Sequence, residues 1–188
     1  MNKIHIHDKV FVPFMPYGQV SEIIDGVAGK LNADFCPVYG SYADSPKEDI
    51  PMLLCVLNGA IMFVGELMER IQVPVELVSM KLSSYEGTQS SGKVREVMGL
   101  TSPVEGRTVI ICEDIVDTGT TIVSLKESLL AKGAKDVRIC TMLLKPEVFK
   151  EKIALDYVGA EIPNRFIVGF GLDYDEQGRN LKDIYVLE

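Results

Sequence analysis

Tryptophan is absent from this chain of 188 residues, histidine occurs twice and cysteine four times. Cys36, Cys55, Cys112 and Cys140 show no Cys-x-x-Cys spacing, and three of them lie in strand-like apolar runs. They read as buried, reduced thiols, so a cytoplasmic protein is expected. His5 and His7 alternate near the chain start, read as exposed strand residues, and are assigned no role. No stretch approaches the roughly 20 apolar residues of a membrane helix. The opening MNKIHIHDKVFVPF has no uninterrupted apolar segment of the signal-peptide kind, so no membrane partner is expected. Lysine and arginine are scattered singly and the net charge is −8, which argues against nucleic acid as a partner. Two phosphate-binding patterns are also missing. The chain has no Gly-Lys-Ser/Thr ending in its Gly/Thr loop, and Gly169-Phe170-Gly171 lacks the third glycine of a dinucleotide fingerprint.

What is present is a chain 47% hydrophobic, without repeats, low-complexity tracts or a linker, and so read as a single domain over residues 1–188. Helix-like and strand-like segments alternate. Residues 21–31 carry Ile23, Ile24, Val27 and Leu31 on one helical face, residues 52–57 read as a buried strand, and 59–71 as a helix. Further strands are expected over 74–81, 108–112 and 137–144, with late short strands over 165–172 and 183–187. Such alternation predicts an α/β fold: a central, mostly parallel twisted sheet flanked by helices, joined by right-handed crossovers. Residues 83–99, rich in Ser, Gly and charge, interrupt the pattern as a long loop.

The most informative stretch is TVIICEDIVDTGTT, residues 108–121. Val109, Ile110, Ile111, Cys112 and Ile115 have the character of a buried parallel strand and its exit. Glu113, Asp114 and Asp117 then crowd the carboxyl end, where open α/β sheets place their ligands. Ile122, Leu125 and Leu129 predict a helix from about Gly119 to Gly133, so backbone N–H groups of residues 118–121 would face an anion at a helix N-terminus. An ordinary strand-to-helix turn rarely gathers three mutually repelling carboxylates without a cation or hydroxyls to hold. The order suits binding of a sugar phosphate.

Glu113, Asp114, Asp117, Thr118, Gly119, Thr120 and Thr121 resemble the phosphoribosyl-diphosphate (PRPP) motif of the type I phosphoribosyltransferases. The resemblance implies that Glu113 and Asp114 meet the ribose hydroxyls, that residues 117–121 cradle the 5′-phosphate, and that Asp117 is the general base. It also implies a small hood built from the N- and C-terminal segments, Mg²⁺ as cofactor, and a homodimer or homotetramer. Three further places are similar to the 6-oxopurine (hypoxanthine-guanine) branch. Lys145, at a strand end, would donate to the 6-oxo group; lysine only donates, so it accepts a carbonyl partner and rejects an adenine-type amine. In PNRFIVGFGLDY, residues 163–174, Phe166 would stack on the purine, Ile167 meet the base edge, and Asp173 lie near both base and metal. Arg179 would meet pyrophosphate. The implied metal set is Asp173, Glu113 and Asp114. Ser84 and Tyr85 match a Ser-Tyr pair in a loop that closes over the site, making 83–99 an expected lid. Asn58, before Gly59, departs from the pattern: relatives place a basic residue there, in a turn with a cis peptide that offers N–H groups to pyrophosphate.

Three other readings compete. A regulatory protein of the same fold that binds nucleic acid is disfavoured by charge. A glycosidase-type hydrolase also uses paired carboxylates, but leaves the Thr-rich phosphate loop unexplained. An adenine or orotate transferase shares the PRPP motif but not the Lys145 and Phe166 regions. The ranking of hypoxanthine, guanine and xanthine stays open, because all three share the 6-oxo group.

Overall fold

A hairpin of β1 (Ile4–Ile6) and β2 (Lys9–Met15) leads through Pro16 into the long helix α1 (Tyr17–Tyr39). β3 (Met52–Leu57), α2 (Ile61–Met68), β4 (Glu76–Ser83) and β5 (Arg95–Met98) follow. Next come β6 (Thr108–Val116), α3 (Thr120–Ala131), β7 (Asp136–Leu144), β8 (Tyr157–Glu161), β9 (Ile167–Val168) and β10 (Ile184–Leu187). The computed structural model describes residues 2–39, 42, 45–83 and 95–188. The larger sheet has the order β5-β4-β3-β6-β7-β8, parallel throughout except for β5 at one edge. The smaller one, β1-β2-β10-β9, is antiparallel and joins the two ends of the chain into the expected hood.

Both faces of the parallel sheet are covered, which is why its strands read as near-continuous apolar runs. On one face Leu53, Cys55, Ile110, Cys112 and Met142 pack against Val20, Ile24, Val27 and Leu31 of α1 and Phe63, Val64 and Leu67 of α2. On the other, Met52, Leu54, Ile111 and Ile139 meet Ile122, Leu125 and Leu129 of α3. Ile6, Phe11, Val168 and Tyr185 form the hood's own small core. All four cysteines are free, and Cys55, Cys112 and Cys140 stand in register on three adjacent strands. No helix among the described residues is long and apolar enough to cross a membrane.

Several boundaries move from their expected places, each for a physical reason. α1 begins four residues before position 21 and runs past Leu31, because its buried stripe continues from Val20 to Phe35. α2 is shorter than 59–71: Gly59 and Ala60 belong to the entry turn, and the N–H groups of Arg70 and Ile71 both return to the Leu67 carbonyl. β6 does not stop at Cys112. Its ladder with β7 continues through Glu113↔Thr141 to Val116↔Leu144, so the acidic pair lies within the strand. β4 spans 76–83 instead of 74–81, and the late strands shrink to β9 and β10. β2, β5 and β8 were not anticipated as elements, and β1 only through the strand reading of its histidines. β8 carries Gly159, where a Cβ would lie 2.4 Å from the Met142 carbonyl oxygen, so close packing removed the β-branched signal there. Residues 95–98 of the expected 83–99 loop pair antiparallel with β4, and residue 83 belongs to β4. Ser84 and Tyr85 lie outside the described residues. His5 is in β1 as expected, whereas His7 sits in the turn at φ 51°.

Candidate active site at the carboxyl end of the parallel sheet

Glu113, Asp117, Thr118, Gly119 and Thr121 line one cleft of about 170 Å³ at the end of β6. Gly119 caps α3 at φ 87°, a left-handed conformation that glycine tolerates without strain. A side chain there would also collide with Phe149, since a Cβ would lie 2.6 Å from its Cε2. No side chain hydrogen-bonds the first turn of α3 from the cap, which leaves its N–H groups open to an anion. Thr118 and Thr120 hydroxyls are 3.4 Å apart, and Thr120 donates to Glu151 Oε1 at 3.3 Å.

Asp114 is not part of that cleft's lining. A Cβ on Gly59 would fall 1.8 Å from Asp114 Oδ2, and a Cβ on Gly171 would fall 2.0 Å from the Gly59 carbonyl oxygen. Three segments distant in sequence therefore meet where only glycine leaves room. The Leu57–Asn58 peptide is cis, and the Asn58 carbonyl accepts the Ile61 N–H at 3.3 Å. Burial pushes the Asp114 carboxyl up to about 6; the Ile115 N–H at 2.8 Å and nearby Arg179 pull it down, and Asp173 opposes them. Burial, then repulsion from Asp114, raises Glu113 well above the usual carboxylate range. The pair is thus short of positive charge and rich in acceptors.

Arg179 holds Asp173 Oδ1 at 2.7 Å and the Gly171 carbonyl at 2.9 Å, while its buried Nε has no partner. The Glu176 N–H donates to Asp173 Oδ2 at 2.8 Å. Asp173 thus faces Arg179, and among the described residues no three His, Cys, Asp or Glu side chains are disposed to hold a metal. Glu113, Asp114 and Asp173 are thus not gathered as a ready three-ligand cluster in this structure.

Lys145 follows β7 and is buried, its Nζ 2.8 Å from Asp117 Oδ1. Its N–H donates to the Val116 carbonyl, tying β7's end to the strand that carries the acids. Phe166 is 44% exposed, enough to offer a ring face, and is braced by Phe11 and edge-on by Tyr174, with centroids 6.1 and 5.8 Å away. Tyr174 donates to Asp8 at 2.8 Å, and Lys9 Nζ lies 4.8 Å over its ring. Ile167 is buried in β9 opposite Val186.

A model of the phosphoribosyl transferase domain matches residues 24–175. The chain belongs to the phosphoribosyltransferase family. The hypoxanthine-guanine phosphoribosyltransferase of Streptococcus thermophilus (strain CNRZ 1066) is 46% identical over 139 residues, covering 73% of this chain and 77% of that one. The enzyme of that name from Mycobacterium tuberculosis is 43% identical over 138 residues, covering 73% and 68%. Among solved structures, a hypoxanthine phosphoribosyltransferase from Staphylococcus aureus superposes with a TM-score of 0.82 at 34% identity, covering 94% of this chain and 91% of that one. The Trypanosoma cruzi enzyme in complex with the product IMP gives 0.84 at 31% identity, covering 98% and 97%. The α/β fold with its hood is therefore that of a type I phosphoribosyltransferase.

Within this phosphoribosyltransferase the Lys145–Asp117 bridge joins the end of β7 to the loop between β6 and α3. Sequence reasoning missed Gly171, dismissed as part of an incomplete fingerprint, and missed Phe11, Tyr174, Phe149 and Glu151. Alternate glycines at 169 and 171, both at positive φ, were the available signal for the first. The others are brought in by long-range packing that no local pattern announces.

Proposed function

We propose that this phosphoribosyltransferase moves the 5-phosphoribosyl group of PRPP to a 6-oxopurine, hypoxanthine and also guanine, releasing IMP or GMP and pyrophosphate in purine salvage. The Lys145–Asp117 bridge carries the reading, because it joins a donor-only cation suited to a 6-oxo group to a carboxylate beside the phosphate loop. Residues 117–121 hold the 5′-phosphate through α3's open N–H groups and hydroxyls. Glu113 and Asp114 accept from the ribose 2′- and 3′-hydroxyls. Phe166 stacks on the base, with Ile167 and Asp173 at its edge. When the base enters, Lys145 exchanges Asp117 for the 6-oxo oxygen, and the freed Asp117 accepts the proton from N7. Arg179 and the backbone of Asn58–Gly59 receive pyrophosphate. Arg179 takes the role of local cation that Asn58 cannot fill. Ser84 and Tyr85 complete a lid that shields the cationic sugar centre from water.

Mg²⁺ fits this arrangement: the available donors are all carboxylate oxygens, and Asp173 adds to the negative charge felt by Asp114. One or two carboxylates plus substrate oxygens is the usual protein share of a Mg²⁺ site. Asp173, with Glu113 and Asp114 nearby, would hold the ion, which when bound neutralises charge developing on pyrophosphate. A homodimer or homotetramer in the cytoplasm belongs to the same reading, and sedimentation velocity decides the oligomer.

A spectrophotometric assay with PRPP, Mg²⁺ and each base in turn tests the proposal. Hypoxanthine and guanine should be converted and adenine ignored. Conversion of adenine or orotate alone would overturn it, as would salt-dependent RNA binding in a filter assay without turnover.

A further inference from the structure

After β7 the chain turns at Lys145, whose carbonyl accepts the N–H groups of Val148 and Phe149, both at 3.2 Å. The turn lays residues 149–151 across the cap of α3, where a Cβ on Gly119 would lie 2.6 Å from Phe149 Cε2 and 3.0 Å from Glu151 Cγ. Phe149 packs into the apolar layer shared with α3, so this strap is anchored. Its two ends grip the same loop with opposite charges: Lys145 on Asp117 at 2.8 Å, and Glu151 on Thr120 at 3.3 Å.

A hydroxyl has one proton to give. With Thr120 donating to Glu151, the 3.4 Å contact between Thr118 and Thr120 runs from Thr118 to Thr120. Both protons then point along a chain that ends on Glu151. A phosphate dianion accepts hydrogen bonds and donates none, so it needs those protons turned towards itself. It must also settle beside an existing carboxylate.

We propose that Glu151 sets the affinity of the loop for phosphate, acting as a built-in anion that the 5′-phosphate of the substrate displaces from Thr120. The inference rests on the reading of residues 117–121 as the phosphate cradle. Glu151 touches no reacting atom in this account; it acts on binding through Thr120. Lys150 and Lys152 flank it in sequence.

Initial-rate kinetics, with inorganic phosphate as a competitor of PRPP, test this in Glu151→Gln. The KM for PRPP and the inhibition constant of phosphate should both fall about three- to tenfold, the size of one partly screened charge interaction, while the KM for hypoxanthine stays put. An unchanged or raised KM for PRPP, with phosphate still competing in the wild type, would overturn the inference and make Glu151 a prop for Thr120. Failure of phosphate to compete with PRPP in the wild type would overturn the cradle reading and this inference with it. Should Glu151→Gln not fold, Glu151→Ala serves: it removes both the charge and the Thr120 contact, and the KM for PRPP should again fall.

Discussion

On the proposed phosphate side, Glu113, Asp114 and residues 117–121 follow one another from β6 into α3. On the proposed base side, Lys145 leaves β7, Phe166 precedes β9, and the brace around Phe166 comes from Phe11 in β2 and from Tyr174, itself held by Asp8 and Lys9. The first is backbone chemistry: a left-handed glycine, open N–H groups and two carboxylates raised by burial. The second is side-chain chemistry held by packing between the two ends of the chain. The contrast teaches that chemistry contiguous in sequence tolerates little steric change, whereas an assembled platform should weaken by degrees.

The bridge between the halves should show the largest effect. Asp117→Asn keeps the shape but removes the proposed proton acceptor, so kcat should fall about 10²- to 10⁴-fold while PRPP still binds, as stopped-assay rates and calorimetric titration would report. Near-normal turnover would remove the base assignment. Gly171→Ala attacks the contact between the turn after β9 and the turn after β3: φ is 97° and the new Cβ would meet the Gly59 carbonyl oxygen at 2.0 Å. A loss of about 3 kcal/mol or more in stability is expected from the clash and the conformation together, read by denaturant unfolding. Lys145→Met should raise the KM for hypoxanthine roughly tenfold or more and narrow the preference over adenine.

The smallest effect concerns pH. Asp114 is raised from the ordinary 3.8 to about 6, mainly by burial. The folded state therefore holds this proton more tightly than the unfolded one, and the group's contribution to stability falls as pH rises from near 4 through about 6. Above that range the ionised carboxylate is a standing cost. Asp114→Asn should raise Tm at neutral pH by a few degrees, roughly 2–4 °C per kcal/mol relieved, while weakening PRPP binding. The KM for PRPP in the parent should climb as pH drops below about 6, and the variant should show a flatter profile.

The same division decides what could be read from the sequence. Residues 108–121 announced their strand, acids, cap and helix because every signal lies within one βα unit, and the structure keeps them together at β6 and α3. The parallel sheet was legible from its apolar runs. β8 was not, because Gly159 and Ala160 there answer to packing against β7 and α1. Phe166 was named through its neighbours in sequence, yet the ring of Phe11 that braces it comes from far along the chain. Nor does spacing show that Asp173 faces Arg179. Local physics writes itself into adjacent residues; the hood's register is set by contacts across more than a hundred positions.

Crossed initial-rate kinetics test the two-part site most directly, with PRPP and hypoxanthine each varied for Thr121→Val and Phe166→Leu. Thr121→Val should raise the KM for PRPP and leave that for hypoxanthine alone, and Phe166→Leu should do the reverse. If each variant shifts both constants equally, the phosphate cradle and the purine platform are not separate parts, and the account fails.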